Sequence, residues 1–293
     1  MDNKYKPLIS VCIPTYNGEK FLQEALDSVK SQTYENIEII VSDDLSKDNT
    51  LKVVESFKEK VDFPIFVYSH TPSGIGANWN NCIEKSNGEY IKLLFQDDIL
   101  KPNCLELMFQ YLINNDLEIV LSKRNIINDK SQLVFEGEWY NKYNDLQNIA
   151  NLSFKDFIIF NKKMINKINF KKFLLENILG EPCVSLFSKK LYLTIGKYNT
   201  NLNQILDYIY FLRVLEKFNI GIIEEKLVSF RIHNEQASNI NYKNNLDESK
   251  QKIEIISNLF YKDLTIENKI ILSLALIKTY IKPYIKPFLN LKK

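Results

Sequence analysis

The first 115 residues alternate between two hydrophobic periods. Continuous apolar runs at 8–13, 37–41, 63–68 and 90–96 read as short strands covered on both faces. Between them the apolar residues return at helical spacing: Phe21, Leu22, Ala25, Leu26 and Val29, then Leu51, Val54, Phe57 and Val61, then a segment over 77–85. Asp48 or Asn49 stands where the second helix needs a cap, and Pro102 at about the first position of the next. Strand and helix in strict alternation predict right-handed βαβ crossovers, hence a parallel sheet with helices on both faces. All strands of such a sheet end at one edge. Pro14-Thr15-Tyr16-Asn17, Asp43-Asp44 and Gln96-Asp97-Asp98 should therefore converge where open α/β sheets bind ligands. Adjacent carboxylates repel, so a cation is the economical reason for Asp97 and Asp98, and a metal-and-phosphate site is expected there.

Beyond residue 115 the pattern loosens. Strands are expected at 118–122, 133–135 and 183–187, a helix over 205–218, and extended chain at 221–223 and 227–232. The Lys-, Phe- and Ile-rich stretch 153–177 reads as helical, as does the chain from 245 onward, with Pro283 and Pro287 breaking it.

A chain of 293 residues, 45% hydrophobic and 25% charged, suits a globular protein with one large domain and an appendage. A net charge of +2 gives no reason to invoke nucleic acid. Cys12, Cys82, Cys104 and Cys183 lack ligand spacing, and three of them fall inside apolar patterns, which predicts reduced, buried thiols in a cytoplasmic protein. Residues 1–7 are polar, unlike a signal peptide, and no apolar run approaches the roughly 20 residues of a membrane span.

Three motifs then narrow the function. Ile13-Pro14-Thr15-Tyr16-Asn17, Ser28-Val29-Lys30-Ser31-Gln32-Thr33 and Asp43-Asp44-Leu45-Ser46-Lys47-Asp48-Asn49-Thr50 together resemble family 2 glycosyltransferases. Gly74-Ile75-Gly76-Ala77-Asn78-Trp79-Asn80 and Asn87-Gly88-Glu89-Tyr90 continue the resemblance in order, over roughly residues 8 to 235. It implies a GT-A, Rossmann-like fold that transfers a sugar from a nucleotide diphosphate with inversion. The implied division is a nucleotide-sugar-binding half at 1–115, an acceptor-binding half of the same domain at 116–235, and a helical C-terminal extension at 236–293.

The resemblance also assigns residues. Tyr16 would stack on the base, Pro14 and Thr15 would offer backbone contacts, and Asp44 would accept from a uracil-type N3–H, with Asp43 sharing that role or supporting the turn. Leu45 replaces the family's glycine and should alter the turn. Gly74 and Gly76 would let the backbone approach the nucleotide, beside Asn78. The last Asp of the family's D-x-D motif falls on Asp97, the implied ligand of Mn²⁺ or Mg²⁺. Phe95 replaces the first, Gln96 is left to reach the ribose, and Asp98 supports. Phe230-Arg231-Ile232-His233 resembles a family ending in which His233 would complete the metal shell or meet the diphosphate.

Inverting transfer needs a carboxylate to take the acceptor's proton. The family's E-D…W-L-R helix falls on Leu206-Asp207…Phe211-Leu212-Arg213, so Asp207 is the expected base and Leu206 a departure. Its apolar surroundings should raise its pKa. Glu181-Pro182 resembles the acceptor-side loop. The implied partners are a nucleotide-sugar donor, UDP-type favoured, and a saccharide or lipid-linked saccharide acceptor. A sugar nucleotidyltransferase and a catalytically silent nucleotide-binding module are the competing readings of the same sheet, the latter because Phe95 and Leu206 stand where acids are expected.

From Gln236 on, ten lysines face five acids, and after Glu267 there is no acid at all. Ile270, Leu274, Ile277, Ile281, Tyr284 and Phe288 align on a helical projection flanked by Lys278, Lys282 and Lys286. A basic amphipathic tail of this kind fits an anionic membrane surface or packing on the catalytic domain, and predicts a cytoplasmic protein peripheral to the membrane.

Overall fold

The computed structural model describes residues 6–236 and 248–289, with side chains through 281. Residues 245–247, and the side chains of Lys282, Tyr284, Lys286 and Phe288, lie outside the described residues.

The expected alternation is present. The first half runs β1 (Ile9–Thr15), α1 (Leu22–Lys30), β2 (Ile37–Asp43), α2 (Thr50–Lys58), β3 (Ile65–Ser69), α3 (Ile75–Lys85) and β4 (Tyr90–Leu93). β5 (Ile99–Leu100) and α4 (Cys104–Asn114) follow. The strands pair in parallel in the order β3-β2-β1-β4. β1 and β2 are buried along their whole length, as continuous apolar runs require. β1 carries on through Pro14 to Thr15, past the expected stop. β4 pairs with β1 only as far as Cys12, so at Pro14 one flank of β1 has no ladder to interrupt. β4 itself stops at Leu93, and residues 94–98 form an irregular loop over the sheet edge.

The second half extends the same sheet. β6 (Ile119–Ile127), α5 (Glu138–Tyr143), α6 (Leu146–Ile149), β7 (Phe157–Phe160), α7 (Phe170–Leu175), β8 (Ser185–Ser188), α8 (Lys189–Ile195), α9 (Leu206–Lys217) and β9 (Ile220–Arg231) continue the strand order as β4-β8-β6-β9-β5. β8 runs against its neighbours, whereas β9 lies parallel to β6. The carboxyl end of β9, with Arg231 and the residues after it, thus reaches the same edge as Thr15, Asp43 and Gln96.

Several expectations change here. The two extended pieces at 221–223 and 227–232 are one strand, with register shifts around Lys123 of its partner. The stretch 153–177 is not one helix: its Phe-Ile-Ile-Phe run becomes β7, paired on the first half of β9, followed by a 3₁₀ turn and the short α7. Aromatic and β-branched residues beside an unpaired strand edge favour the ladder over the helix. The segment 133–135 gives only an isolated bridge from Leu133 to Ile127.

At the far edge of the sheet, buried Glu38 accepts from Asn87 N (2.6 Å) and Asn87 Nδ2 (3.0 Å), and Ser10 Oγ donates to it. Gly88 is required there, because a Cβ would lie 2.6 Å from Ser10 N. Lys92, buried in the middle of the sheet, donates from Nζ to Cys183 O and so anchors the loop that carries Glu181. All four cysteines are buried and free.

Among the described residues the C-terminal extension carries the helices α10 (Ser249–Phe260) and α11 (Ile266–Leu289). α11 continues through both prolines, each of which forfeits one bond to the carbonyl four residues back without ending the helix. α10 packs on α9 and α7, and α11 packs on α10. Among the described residues no helix is long and apolar enough to cross a membrane.

Candidate active site

A cleft of about 470 Å³ opens at the carboxyl edge of the sheet. Its walls bring together Pro14, Thr15, Tyr16, Asp44, Asn78, Gln96, Asp97, Asp207 and His233, from segments up to 219 positions apart in the sequence. Asp43, Gly76 and Asp98 do not line it.

One wall is a lattice of hydrogen bonds complete without any ligand. Gln96 Oε1 accepts from Tyr16 N (2.9 Å) and its Nε2 donates to Tyr16 O (3.1 Å). The amide expected to reach a ribose is therefore spent on clamping the Tyr16 backbone, and Tyr16 as a whole stays 51% exposed at the cleft. Gly18 makes the clamp possible, since a Cβ there would meet Gln96 Oε1 at 2.3 Å. The following turn is zipped to the loop after β2. Asn17 N donates to Ser46 Oγ (2.8 Å), Gly18 N to Thr50 Oγ1 (2.7 Å) and Glu19 N to Asp48 Oδ2 (3.0 Å), while Asn17 Oδ1 accepts from Lys47 N (2.8 Å). Asp48 Oδ1 also accepts from Thr50 N (3.0 Å), although Asn49 is the residue at the cap of α2.

Asp43 is fully buried and taken up by the chain itself: Thr15 Oγ1 (2.8 Å) and Ser46 Oγ (2.6 Å) donate to Oδ1, and Ser46 N (2.8 Å) to Oδ2. Of its two expected roles, the turn is the one its geometry allows. Leu45 keeps the left-handed conformation a glycine would adopt (φ 58°), so the replacement loads the turn with strain and leaves its shape in place.

Asp44, at the cleft wall, accepts from Ser73 N at 3.2 Å. His70 lies 3.5 Å from its Oδ1, and its Nε2 meets Asn78 Oδ1 at 3.1 Å. Asn78 Nδ2 in turn donates to Thr15 O (3.1 Å). His70, one of the chain's two histidines, thus joins two site residues. Gly74, in the left-handed region (φ 86°), lines the cleft. Gly76 faces away from it: a Cβ would lie 3.1 Å from Leu206 Cδ1 and 3.4 Å from Asn199 O. It exists to let α3 close against the start of α9, and the apolar Leu206 is its complement.

At the centre, Asp97 Oδ2 and His233 Nε2 stand 2.9 Å apart. The His233 ring leans on Phe21 at 5.0 Å. Arg231, fully buried, fixes both acids: its N donates to Asp98 Oδ1 (3.0 Å) and its Nε to Asp97 O (2.7 Å). The same guanidinium reaches Asn128 O (3.1 Å), Ser131 Oγ (2.9 Å) and Glu24 Oε2 (3.1 Å). Burial, then the charge of Asp97, pushes the Asp98 carboxyl well above the usual range. Asp98 is thus a neutral-leaning support behind the wall, and the opening pair of acids is asymmetric. Among the described residues no group of three or more metal-ligating side chains occurs. Asp97 and His233 nevertheless place a carboxylate oxygen and an imidazole nitrogen side by side at the cleft, a donor pair that would hold Mg²⁺ or Mn²⁺.

Opposite stands the base candidate. Asp207, in the first turn of α9, accepts from Tyr208 N at Oδ1 (2.7 Å) and from Asn177 Nδ2 at Oδ2 (3.1 Å). Burial pushes its pKa up to about 7, with the charge of Glu181 adding to the rise and the two donors opposing it. Asn177 also shapes the neighbouring loop, its Oδ1 accepting from Leu179 N (3.0 Å) and Gly180 N (3.2 Å). Glu181 faces the cleft while paired with Arg124 (2.7 and 2.9 Å). Phe95, which replaces an expected acid, stacks on Trp79 (5.1 Å, 23°) and gives the cleft an aromatic floor.

The extension reaches this wall. Glu248, buried at the start of α10, accepts from three consecutive backbone amides, Asn203 N (2.7 Å), Gln204 N (3.0 Å) and Ile205 N (3.1 Å). The carboxylate gathers the amides of the loop that leads into α9, and its charge beside the helix start suits the dipole. Nothing near Glu248 in the sequence signals this role.

The sheet and this cleft meet their counterpart among known proteins. The model of glycosyl transferase family 2 matches residues 10–191, more than half of the chain and most of the residues above. The chain belongs to glycosyl transferase family 2. Among its relatives, an uncharacterised glycosyltransferase of Rickettsia typhi is 30% identical over 81% of this chain and 68% of its own length. One from Rickettsia felis is 33% identical over 92% of this chain, which spans only 40% of that relative. The structure of S. aureus TarS 1–349 in complex with UDP-GlcNAc superposes with a TM-score of 0.64 at 15% identity, over 87% of this chain and 65% of that chain. That likeness shows the fold, a GT-A arrangement of a mostly parallel sheet flanked by helices.

Proposed function

We propose that this family 2 member transfers a sugar from a nucleotide-diphosphate donor, UDP-type, to a saccharide or lipid-linked saccharide acceptor, with inversion at the anomeric carbon. One observation carries the proposal. A carboxylate whose pKa is raised to about 7 faces, across one cleft, a pre-formed wall suited to a nucleotide. A general base works best when its pKa lies near the working pH. The TarS complex, with a fold of the same kind around UDP-GlcNAc, supports the donor class.

In this reading residues 1–115 hold the donor and 116–235 the acceptor. The exposed Tyr16 ring stacks on the base, and Asp44 accepts from its imide N–H. Asp97 and His233 hold a divalent cation, which when bound offsets the charge gathering on the leaving diphosphate. Asp207 takes the proton of the acceptor hydroxyl as that oxygen bonds to the anomeric carbon. The bond from that carbon to the diphosphate oxygen breaks, and the electron pair leaves with the nucleotide. The Phe95–Trp79 floor gives the sugar an apolar face to lie on. The reaction takes place in the cytoplasm, on an acceptor for a surface glycan.

A thermal-shift panel of UDP-, GDP-, dTDP- and CMP-sugars, with and without Mn²⁺, tests the donor side. Stabilisation by a UDP-sugar that needs the metal is the expected result. A flat response to every nucleotide sinks the reading.

A further inference from the structure

We propose that the outward face of α11 is a docking surface for an anionic lipid bilayer. Ile266, Ile270, Leu274, Ile277 and Ile281 recur at i, i+4, i+8, i+11 and i+15, forming one stripe along the helix. The stripe points away from the protein: each of the five is between 43% and 79% exposed. The opposite side, with Leu272 and Asn268 buried, packs on α10 and the α7 region, where Asn268 donates to Asn166 Oδ1 (3.1 Å). Surface helices ordinarily do the reverse, and the preceding helix obeys the ordinary rule. α10 buries Ile253, Ile256 and Phe260, and turns Lys250, Gln251 and Asn258 outward. A run of five large aliphatics on the wet face of α11 is therefore a specific departure, and marks a surface that something covers.

Charge selects the occupant. After Glu267 the chain carries six lysines and no acid, and Lys269 and Lys278 lie on either side of the stripe. A second copy of the chain is a poor partner, because pairing two such faces sets lysine against lysine with no carboxylate in the helix beyond Glu267 to neutralise them. A bilayer bearing acidic headgroups offers both an apolar layer for the isoleucines and negative charge for the lysines flanking them. The inference deepens the transferase reading, from which it takes its purpose. α11 packs on α10, which packs on the helix of Asp207 and holds its start through Glu248. Docking would hold the base wall near a lipid-linked acceptor.

Flotation of the whole chain with vesicles tests this without any sugar transfer, so its failure leaves the transferase reading standing. Equimolar phosphatidylglycerol and phosphatidylcholine are compared with phosphatidylcholine alone. The unaltered chain should float with the anionic vesicles at least tenfold more than with the zwitterionic ones, and release in high salt. The exposed triple substitution Ile270→Glu, Leu274→Glu, Ile277→Glu should abolish flotation while leaving the melting temperature unchanged. Lys269→Glu with Lys278→Glu should weaken it severalfold. No flotation of the unaltered chain, or equal flotation on both vesicle types, overturns the proposal. So does light scattering that shows a dimer which the triple substitution dissociates, since the stripe would then be a contact between copies.

Discussion

The two walls of the cleft are built in opposite ways. On one wall, Tyr16, Asn78 and Gln96 are locked by one another and by the turns after β1 and β2, with the buried Asp43 behind them, all within the regular βαβ half. On the other, Asp207 is held by a loop asparagine and by a helix whose leading loop is bound from the C-terminal extension. The first wall is stiff because neighbouring strand ends supply its partners. The second depends on three separate segments arriving together, and it also holds a carboxyl whose ionised form burial disfavours. In the transferase reading, recognition would fall where the fold is most repetitive and reactivity where it is least so.

The largest way to break this contrast is Asp207→Asn. It should lower transfer by about 10³-fold while donor affinity stays within a factor of about three. The same substitution reads the strain of the base. A carboxyl raised from 3.8 to about 7 contributes its full share to stability below 3.8 and loses it as pH rises through 7. The asparagine variant should therefore match the parent near pH 4 and exceed it by about 2 kcal/mol at pH 8, the figure being reduced for partial exposure. Chemical denaturation at the two pH values checks this. A variant less stable at pH 8 would mean the site favours the charged form.

Glu248→Gln comes next. If the extension positions the base, kcat should fall about tenfold with donor affinity unchanged, since small misplacements of a catalytic group are costly. Equal loss in donor affinity would show a general loosening in place of a role on one wall. On the other side, Gln96→Ala frees the Tyr16 backbone and should weaken donor binding about fivefold by calorimetry, with little effect at saturation. Asn177→Ala removes a donor that favours ionised Asp207, so the acidic limb of the pH–rate profile should move up by about half a unit. The smallest effect is expected at Leu45→Gly, which relieves a left-handed leucine that is half exposed. Stability should rise by up to about 1 kcal/mol, less the greater freedom of the unfolded glycine.

The same contrast marks what could be read in the sequence. Hydrophobic period alone predicts the parallel sheet of the first half, and with it the convergence of Tyr16, Asp44 and Asp97. The motifs add Asp207 and His233 to that edge. What escaped was set by long-range partners. Gln96 turns to Tyr16 across 80 positions, Asn177 meets Asp207 across 30, and Glu248 reaches Asn203 across 45. Gly76 reads from the resemblance as a glycine beside the nucleotide, yet only the packing of Leu206 shows which way it faces. β7 was hidden for a similar reason, since Phe-Ile-Ile-Phe takes its conformation from the edge of β9. The prolines of α11 argue for a break by local rule, and the helix runs on through both.

The central claim is that one cleft binds a nucleotide-sugar on its first wall and activates the acceptor from its second. The most direct test is nucleotide release from a UDP-sugar by the unaltered chain and by Asp207→Asn, with donor affinity measured on both by calorimetry. The account predicts near-equal affinities and release reduced at least a hundredfold in the variant. Release that survives the substitution, or a parent chain that binds no UDP-sugar, would contradict it.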